Sequence, residues 1–519
     1  FGSKTVMAPP SAIRVRVQKS TDDEFEIELK PNQSIKDLKA AVEDHWNTPP
    51  ECQKLVSGST TLEDSTKIAD VGSDEPVPIM MELTFDAVRK CLEGSGSQEK
   101  IDQLENLRQM GPGAGEEVVA MVFARLDDAR ADVRLAALRA IGDVSAQDNK
   151  KILQCLTSRV TNTDPKIRCA ALESLGKVAA KGDERVIGLA ISHSTDNAWD
   201  VRRAAMETLG KVAERGVDRA VVAAMPRLQD IDVCVKRAAV ESLGKLARKG
   251  DKEAIGSTAF LVQDPDEDVR AAAVYCLADL AIADSLCDYE AVNSGLQEMQ
   301  GWMGIGEGPD PEAGVGMDAP SGNIPIVDVI LERCDDHGKD VRVAAVACLG
   351  RVAEKGNVRA IWVLSEILEP ATLQRRLRNP AMRCAALRSL AMVSFPDGQG
   401  ASDKNAKESK KKGQKQSLES RSVELITRCM KDLDSAVRRT AVEVIAQVAK
   451  RGDQAVVEAA MTCLKDSKKG VRQAAVEALP LLVLKQDNNK DVISEITACL
   501  EDTDVNVRRV AKEVLAQMT

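Results

Sequence analysis

The sequence predicts a mainly α-helical solenoid behind a small N-terminal domain of mixed strands and helix. Basic residues recur at a fixed interval: Arg134, Arg168, Arg202, Lys236 and Arg270 are each 34 positions apart. A period of this size marks stacked, repeated hairpins. An acidic residue stands six positions before the basic one at Asp128/Arg134, Asp196/Arg202, Asp230/Lys236, Asp264/Arg270, Asp336/Arg342, Asp432/Arg438, Asp466/Arg472 and Asp502/Arg508. Asn162/Arg168 and Leu377/Arg383 are weaker copies. Hydrophobic residues make up 44% but aromatics only 2%, which favours Ala/Val/Leu helix packing over a sheet sandwich.

The 519 residues exceed one compact core, so an elongated array or several units are expected. A net charge of -10 and a pI near 5.3 argue against a nucleic-acid binder, whose phosphate-facing surface is basic. No apolar run is long enough for a membrane span, and the N-terminus lacks a hydrophobic signal core. The thirteen cysteines form no C-x-x-C pair. They read as small hydrophobes in a reducing compartment, cytoplasmic with nuclear as the alternative.

Residues 1–11 read as a flexible terminus. In 12–84, Ile13, Val15 and Val17 alternate with polar residues, as do Phe25, Ile27 and Leu29, giving two half-buried strands around Thr21-Asp22-Asp23. Ser34 caps a helix whose inward face is Ile35, Leu38, Ala41 and Val42, and Pro49-Pro50 stops it. Strands at Lys54–Ser57 and Val77–Leu83 follow. The stretch Pro49–Gly72, PPECQKLVSGSTTLEDSTKIADVG, with its Pro-Pro, Gln-basic-Leu strand, Gly turn and Leu-Glu-Asp, resembles ubiquitin-like domains. The resemblance implies a β-grasp fold and a protein-recognition patch at Val56 and Met80. No Gly-Gly follows the last strand, and Thr60 stands at the turn where ubiquitin has a chain-forming lysine. Conjugation is therefore not implied.

Residues 85–115 read as two capping helices, Phe85–Leu92 and Gln98–Gln109, followed by a Gly111–Gly115 hinge. The repeats, about ten, run over 116–519. Each has a first helix, a turn holding the acidic residue, and a second helix with a stripe such as Val201, Ala204, Ala205, Leu209 and Val212. Eight positions after the basic residue a small one stands: Gly142, Gly176, Gly210, Gly244, Ala278, Gly350, Ala391, Ala446 or Ala516, with Pro480 as the exception. Since Gly weakens a helix by about 1 kcal/mol, its recurrence implies close approach of stacked helices. Gly182, Gly216, Gly250, Gly356 and Gly452 end second helices, and Asp183, Asp251, Asn357 and Asp453 cap the next first helices. The unit, with Asp and Arg about its turn and a V-R-x-A-A start as in Val201–Ala205, resembles HEAT repeats, close to the short variety of bilin-lyase-like proteins. Insertions interrupt the period near 284–323 and 395–417, with a smaller one ending at Gln374–Arg378. Long loops of this kind are functional or disordered. The second holds a lysine run (404, 407, 410, 411, 412 and 415) that reads as a solvated loop, with a nuclear signal or a clamp on an acidic partner as alternatives.

No catalytic set emerges. The periodic acidic residues read as structural: each accepts from amides near its turn and pairs with the basic residue one repeat away, a ladder that sets the stacking angle. The histidines are His45, His193 and His337, without metal-ligand spacing, and no phosphate loop or nucleophile elbow is present. No cofactor or metal is expected. The expected function is a non-enzymatic scaffold or adaptor, its solenoid gripping one protein and its ubiquitin-like domain docking on another, such as a ubiquitin receptor. Two alternatives stand beside it. One is a structural subunit of a large assembly, with the insertions as docking arms and Tyr289 and Trp302 as anchors. The other, implied only by the resemblance, is a bilin-lyase-like protein.

Overall fold

The computed structural model describes residues 12–19, 23–71, 76–94, 96–281, 286–288, 323–369, 379–394, 411–484 and 490–518. The chain forms two compact units, residues 1–227 and 228–519.

The first unit opens with β1 (Ile13–Lys19), β2 (Glu24–Leu29), α1 (Ile35–Trp46), β3 (Gln53–Ser57), β4 (Thr60–Thr61) and β5 (Val77–Leu83). The sheet order is β2-β1-β5-β3-β4, with β1 and β5 parallel. Period-two burial puts Val15, Val17, Leu55, Val77, Ile79 and Met81 against Ile35, Leu38 and Val42 of α1. Ser34 and Asp37 close the start of α1 as a capping box, and Asn47, at φ 50, ends it.

Helical hairpins follow: α2 (Asp86–Glu93) with α3 (Ser97–Gln109), α4 (Glu116–Phe123) with α5 (Ala131–Val144), α6 (Lys150–Arg159) with α7 (Pro165–Val178), α8 (Glu184–His193) with α9 (Trp199–Val212), and then α10 (Asp218–Ala224). The second helices pack in succession, α3 on α5, α5 on α7 and α7 on α9.

The second unit starts with α11 (Val233–Leu246), then α12 (Lys252–Leu261) and α13 (Glu267–Leu280). After β6 (Leu286–Asp288) and β7 (Asn323–Pro325) come α14 (Ile326–Glu332) and α15 (Lys339–Val352), α16 (Val358–Leu368) and α17 (Pro380–Ser394), and α18 (Lys411–Cys429) and α19 (Ser435–Val448). Helices α20 (Gln454–Cys463), α21 (Lys469–Leu482), α22 (Lys490–Ala498) and α23 (Val505–Met518) complete it. Here too the second helices stack in order from α11 to α23. The first insertion leaves the stack intact because β6 and β7 pair antiparallel, Leu286 opposite Pro325, which brings the two ends of the excursion together. In the second insertion Lys411, Lys412 and Lys415 lie in α18 rather than in a loop. Lys and Gln are good helix formers, and the run continues into the buried Leu425 and Ile426. Lys404, Lys407 and Lys410 lie outside the described residues. Helix α21 runs on through Pro480 to Leu482.

Two local devices set the stacking. Gly182 and Gly356 take φ of 85 and 82, a left-handed turn that only glycine adopts cheaply. It points their amides at the ends of the next second helices, Gly182 N–H to Val212 O at 2.7 Å and Gly356 N–H to Val393 O at 2.8 Å. Asp148 does the same toward Val178 O at 2.7 Å, at φ 61 without being glycine. The other device is a close approach. Ser174 Oγ donates to Leu138 O at 2.6 Å and Ser389 Oγ to Val346 O at 2.7 Å. A Cβ on Gly142 would lie 2.9 Å from the Ser174 Cα, and one on Gly350 2.7 Å from the Ser389 Cα.

No helix among the described residues is long and apolar enough to cross a membrane. Most of the described cysteines are buried.

Candidate protein-interaction surfaces

The acidic and basic series is engaged with itself. A basic side chain of the series can do two jobs, the first only where it is an arginine and the second only where an acidic position follows. Its Nη1 donates to the backbone carbonyl of the acidic position six residues earlier: Arg134 to Asp128 O at 2.8 Å, Arg202 to Asp196 O at 2.9 Å, Arg270 to Asp264 O at 2.9 Å, Arg342 to Asp336 O at 2.6 Å and Arg508 to Asp502 O at 2.8 Å. The rest of the head reaches the carboxylate of the following repeat. Arg168 holds Asp196 at 2.9 and 2.7 Å, Lys236 holds Asp264 at 2.6 Å, and Arg270 holds Asp336 at 3.2 and 2.9 Å. Arg438 holds Asp466 and Arg472 holds Asp502, each through Nε and Nη2. Each carboxylate also accepts the amide two residues on, as Asp230 does from Asp232 at 3.0 Å and Asp432 from Asp434 at 2.8 Å. The Arg438 hydrogen bond holds the Asp466 carboxyl below its ordinary range, and Arg472 does the same to Asp502.

The ladder has one rung more than the acidic–basic spacing shows. Lys100 of α3 holds Asp128 at 3.0 Å, and it lies 34 positions before Arg134. Subtracting the period once more would have found it; Gly94 at the acidic position hid it. A rung is lost where the acidic position is Leu377: Arg342 is 7% exposed, and its Nε has no partner among the described residues. A second series, Arg125 and His193, reaches the ends of preceding first helices, Leu92 O at 2.7 Å and Val160 O at 2.9 Å.

On the N-terminal sheet Val56 stands opposite Met80 across β3 and β5. The two side chains share a face; Met80 is exposed and Val56 half-buried. The Lys54–Glu82 pair, at 2.8 Å, borders them. Tyr289 and Trp302 lie outside the described residues.

Family comparisons agree with this geometry. The ubiquitin family model matches residues 13–84. HEAT-repeat models match 119–210 and 259–282, and a model of the HEAT repeat associated with sister chromatid cohesion matches 483–512. The chain carries a ubiquitin domain followed by HEAT repeats. No curated protein matches it. Solved structures it resembles include one of Kap95p binding RanGDP and one of the Kap95:Nup1 complex, each at 16% identity, TM-score 0.44 and 83% coverage of this chain. The chain spans about half the length of these proteins, 53% and 54%.

One HEAT repeat presents an apolar ridge that repeat packing does not require. Val358 and Trp362, one turn apart on α16, are 62% and 59% exposed. Grooves flank them. One of about 420 Å³ includes Leu331, Glu332 and Arg359, and one of about 360 Å³ includes Ile361, Ser365 and Arg421. In α20, counted from the same left-handed glycine, these positions are Gln454 and Glu458, hydrogen-bonded to each other at 3.0 Å. Aligned on that glycine, Val358 occupies a slot held elsewhere by Glu184, Asp218, Lys252 and Gln454, and Trp362 one held by Gly188, Val222, Gly256 and Glu458.

Proposed function

We propose that this chain is a non-catalytic protein-interaction scaffold, its HEAT repeats binding one partner polypeptide and its ubiquitin domain docking on a second through Val56 and Met80. The observation behind the reading is the Val358–Trp362 ridge. An exposed tryptophan between two grooves has the character of an interface anchor, and burying it would remove much apolar area from water. The periodic carboxylates support the non-catalytic part, because rung pairing and turn amides occupy them. The thiols held within the repeats suit a reducing compartment, taken as the cytoplasm. We take the repeat array to begin at α2 rather than at residue 116, since Lys100 and Asp128 form a rung there.

Affinity capture followed by mass spectrometry tests the reading. The baits are the full chain, a chain lacking residues 1–84, a Val56→Glu/Met80→Glu variant and a Val358→Ser/Trp362→Ala variant, each with an unchanged circular dichroism spectrum. The deletion and the sheet variant are expected to lose one common set of proteins, and the α16 variant a different set. Identical recovery by all four baits would refute the proposal.

A further inference from the structure

A pocket of about 510 Å³ lies among α16, α17, α18 and α19, apart from the Trp362 grooves. Its charged lining is Arg383, Arg428, Lys431, Asp432 and Asp434. Most of these groups have partners. Asp434 caps α19 by accepting the amides of Ala436 and Val437 at 2.8 and 3.4 Å. Asp432 accepts the Asp434 amide and the Arg383 Nη1. Arg428 pairs with Glu424 at 2.5 Å on the surface.

Donors are left over. Arg383 departs from the other rungs: it meets Asp432 through Nη1 instead of closing the fork with Nε and Nη2. Among the described residues its Nη2 reaches only the Cys429 Sγ at 4.0 Å. Its Nε is buried with no hydrogen-bond partner among the described residues, and so is the Nδ2 of Asn379, next to the lining Pro380. Lys431, exposed at the rim, makes no ion pair among the described residues. Buried donors are nearly always satisfied, and a guanidinium fork is made for a carboxylate or phosphate. Beside these donors Leu433 stands fully in solvent at 102% exposure.

We propose that this pocket receives an acidic side chain of a partner polypeptide, with an apolar neighbour on that chain covering Leu433. With Arg428 taken by Glu424, Asp432 by Arg383 and Asp434 by its helix cap, Lys431 is the cation of the described lining left without a carboxylate. It complements a carboxylate, whereas a doubly charged phosphate would meet Asp432 and Asp434 as repulsion. The bare leucine at the rim separates a peptide from a free anion, which would leave it uncovered. The inference rests on the scaffold reading and supplies the chemistry of one of its partners.

The test is selection from a random short-peptide library on the full chain, followed by fluorescence anisotropy on the enriched peptides. Two surface variants serve as controls, Lys431→Glu and Leu433→Ser; both side chains are exposed, so folding is preserved. Enriched peptides are expected to carry Asp or Glu beside a large apolar residue. Changing that acid to its amide, or using Lys431→Glu, should weaken binding about tenfold or more, the range of a lost charge-assisted contact. Leu433→Ser should weaken it several-fold. The proposal is overturned if selection yields no acidic–apolar peptide, or if the amide peptide binds equally. It is also overturned if both variants bind as the parent does, or if glutarate or inorganic phosphate displaces the probe as effectively as unlabelled peptide. If captured partners depend on Trp362 but not on Lys431, the scaffold reading stands and this pocket alone is refuted.

Discussion

Arg438 grips Asp466 of the next repeat with Nε and Nη2 at 2.6 and 2.9 Å, while its Nη1 donates at 2.8 Å to the carbonyl of Asp432 in its own turn. One side chain thereby ties two successive turns, and the carboxylate takes a further bond from the Lys468 amide at 2.8 Å. Planar, bidentate geometry of this kind gives direction as well as attraction. It fixes where one hairpin sits on the next.

Breaking that rung should cost more than breaking a surface pair. The Arg438 and Asp466 side chains are 15% and 11% exposed, against 59% and 35% for the Arg439–Glu443 pair one residue along. Asp466→Asn is expected to lower stability by about 2 kcal/mol, between the exposed and fully buried limits. Glu443→Gln should lower it by about 0.5 kcal/mol or less. Urea midpoints decide; equal shifts would remove the ladder as a stacking device.

Acid should weaken the stack through the same carboxylates. The folded pKa values of Asp466 and Asp502 are lowered, first by the hydrogen bonds of Arg438 and Arg472. A depressed carboxyl adds stability above its unfolded pKa of about 3.9, and that stability is lost as pH falls through the folded value. Thermal midpoints are expected to hold above about pH 5 and to drop below about pH 4, less steeply in an Asp466→Asn/Asp502→Asn variant. A variant with the parent's acid profile would refute the linkage.

Two glycines of the repeats should respond with opposite sign to the same substitution. At Gly350 a Cβ would sit 2.7 Å from the Ser389 Cα, while at Gly188, inside α8, nothing lies within 4 Å. Gly350→Ala should destabilise by about 1–3 kcal/mol through overpacking. Gly188→Ala should stabilise by about 0.5–1 kcal/mol through helix propensity. Matching signs in a denaturant titration would contradict the close approach of α15 and α17.

The buried thiols should be inert in the folded chain. Burial pushes Cys169, Cys334 and Cys348 up to about 12, so near pH 8 almost no thiolate, the reactive form, is present. Iodoacetamide at about pH 8 is expected to leave all three unmodified until urea unfolds the protein. Labelling at the rate of a free thiol would show that they are accessible.

The repeat was legible because its signals are local. A helical stripe such as Val201–Val212, a capping Asp183 after Gly182 and a period of 34 all act within one hairpin, where sequence distance and spatial distance agree. The strands of residues 13–84 were legible for the same reason: alternation shows which face is buried. The interaction surfaces were not, because exposure belongs to neighbours. Nothing around Trp362 in the sequence says that Leu331 and Arg421 flank it rather than cover it. Nor does the order of residues near Arg383 show that its Nε is left without an acceptor.

By itself the amino-acid order determined the hairpin, its length, its buried stripe and the β-strand pattern before it, since these follow from backbone periodicity and side-chain size. Stacking decided the rest. It delivered the Arg438 guanidinium to Asp466, 28 residues away, made Lys100 a rung, left Trp362 in solvent and opened a pocket beside Lys431. Such contacts form only when separate hairpins meet, because the field and the shape that each side chain meets are supplied by a neighbouring repeat.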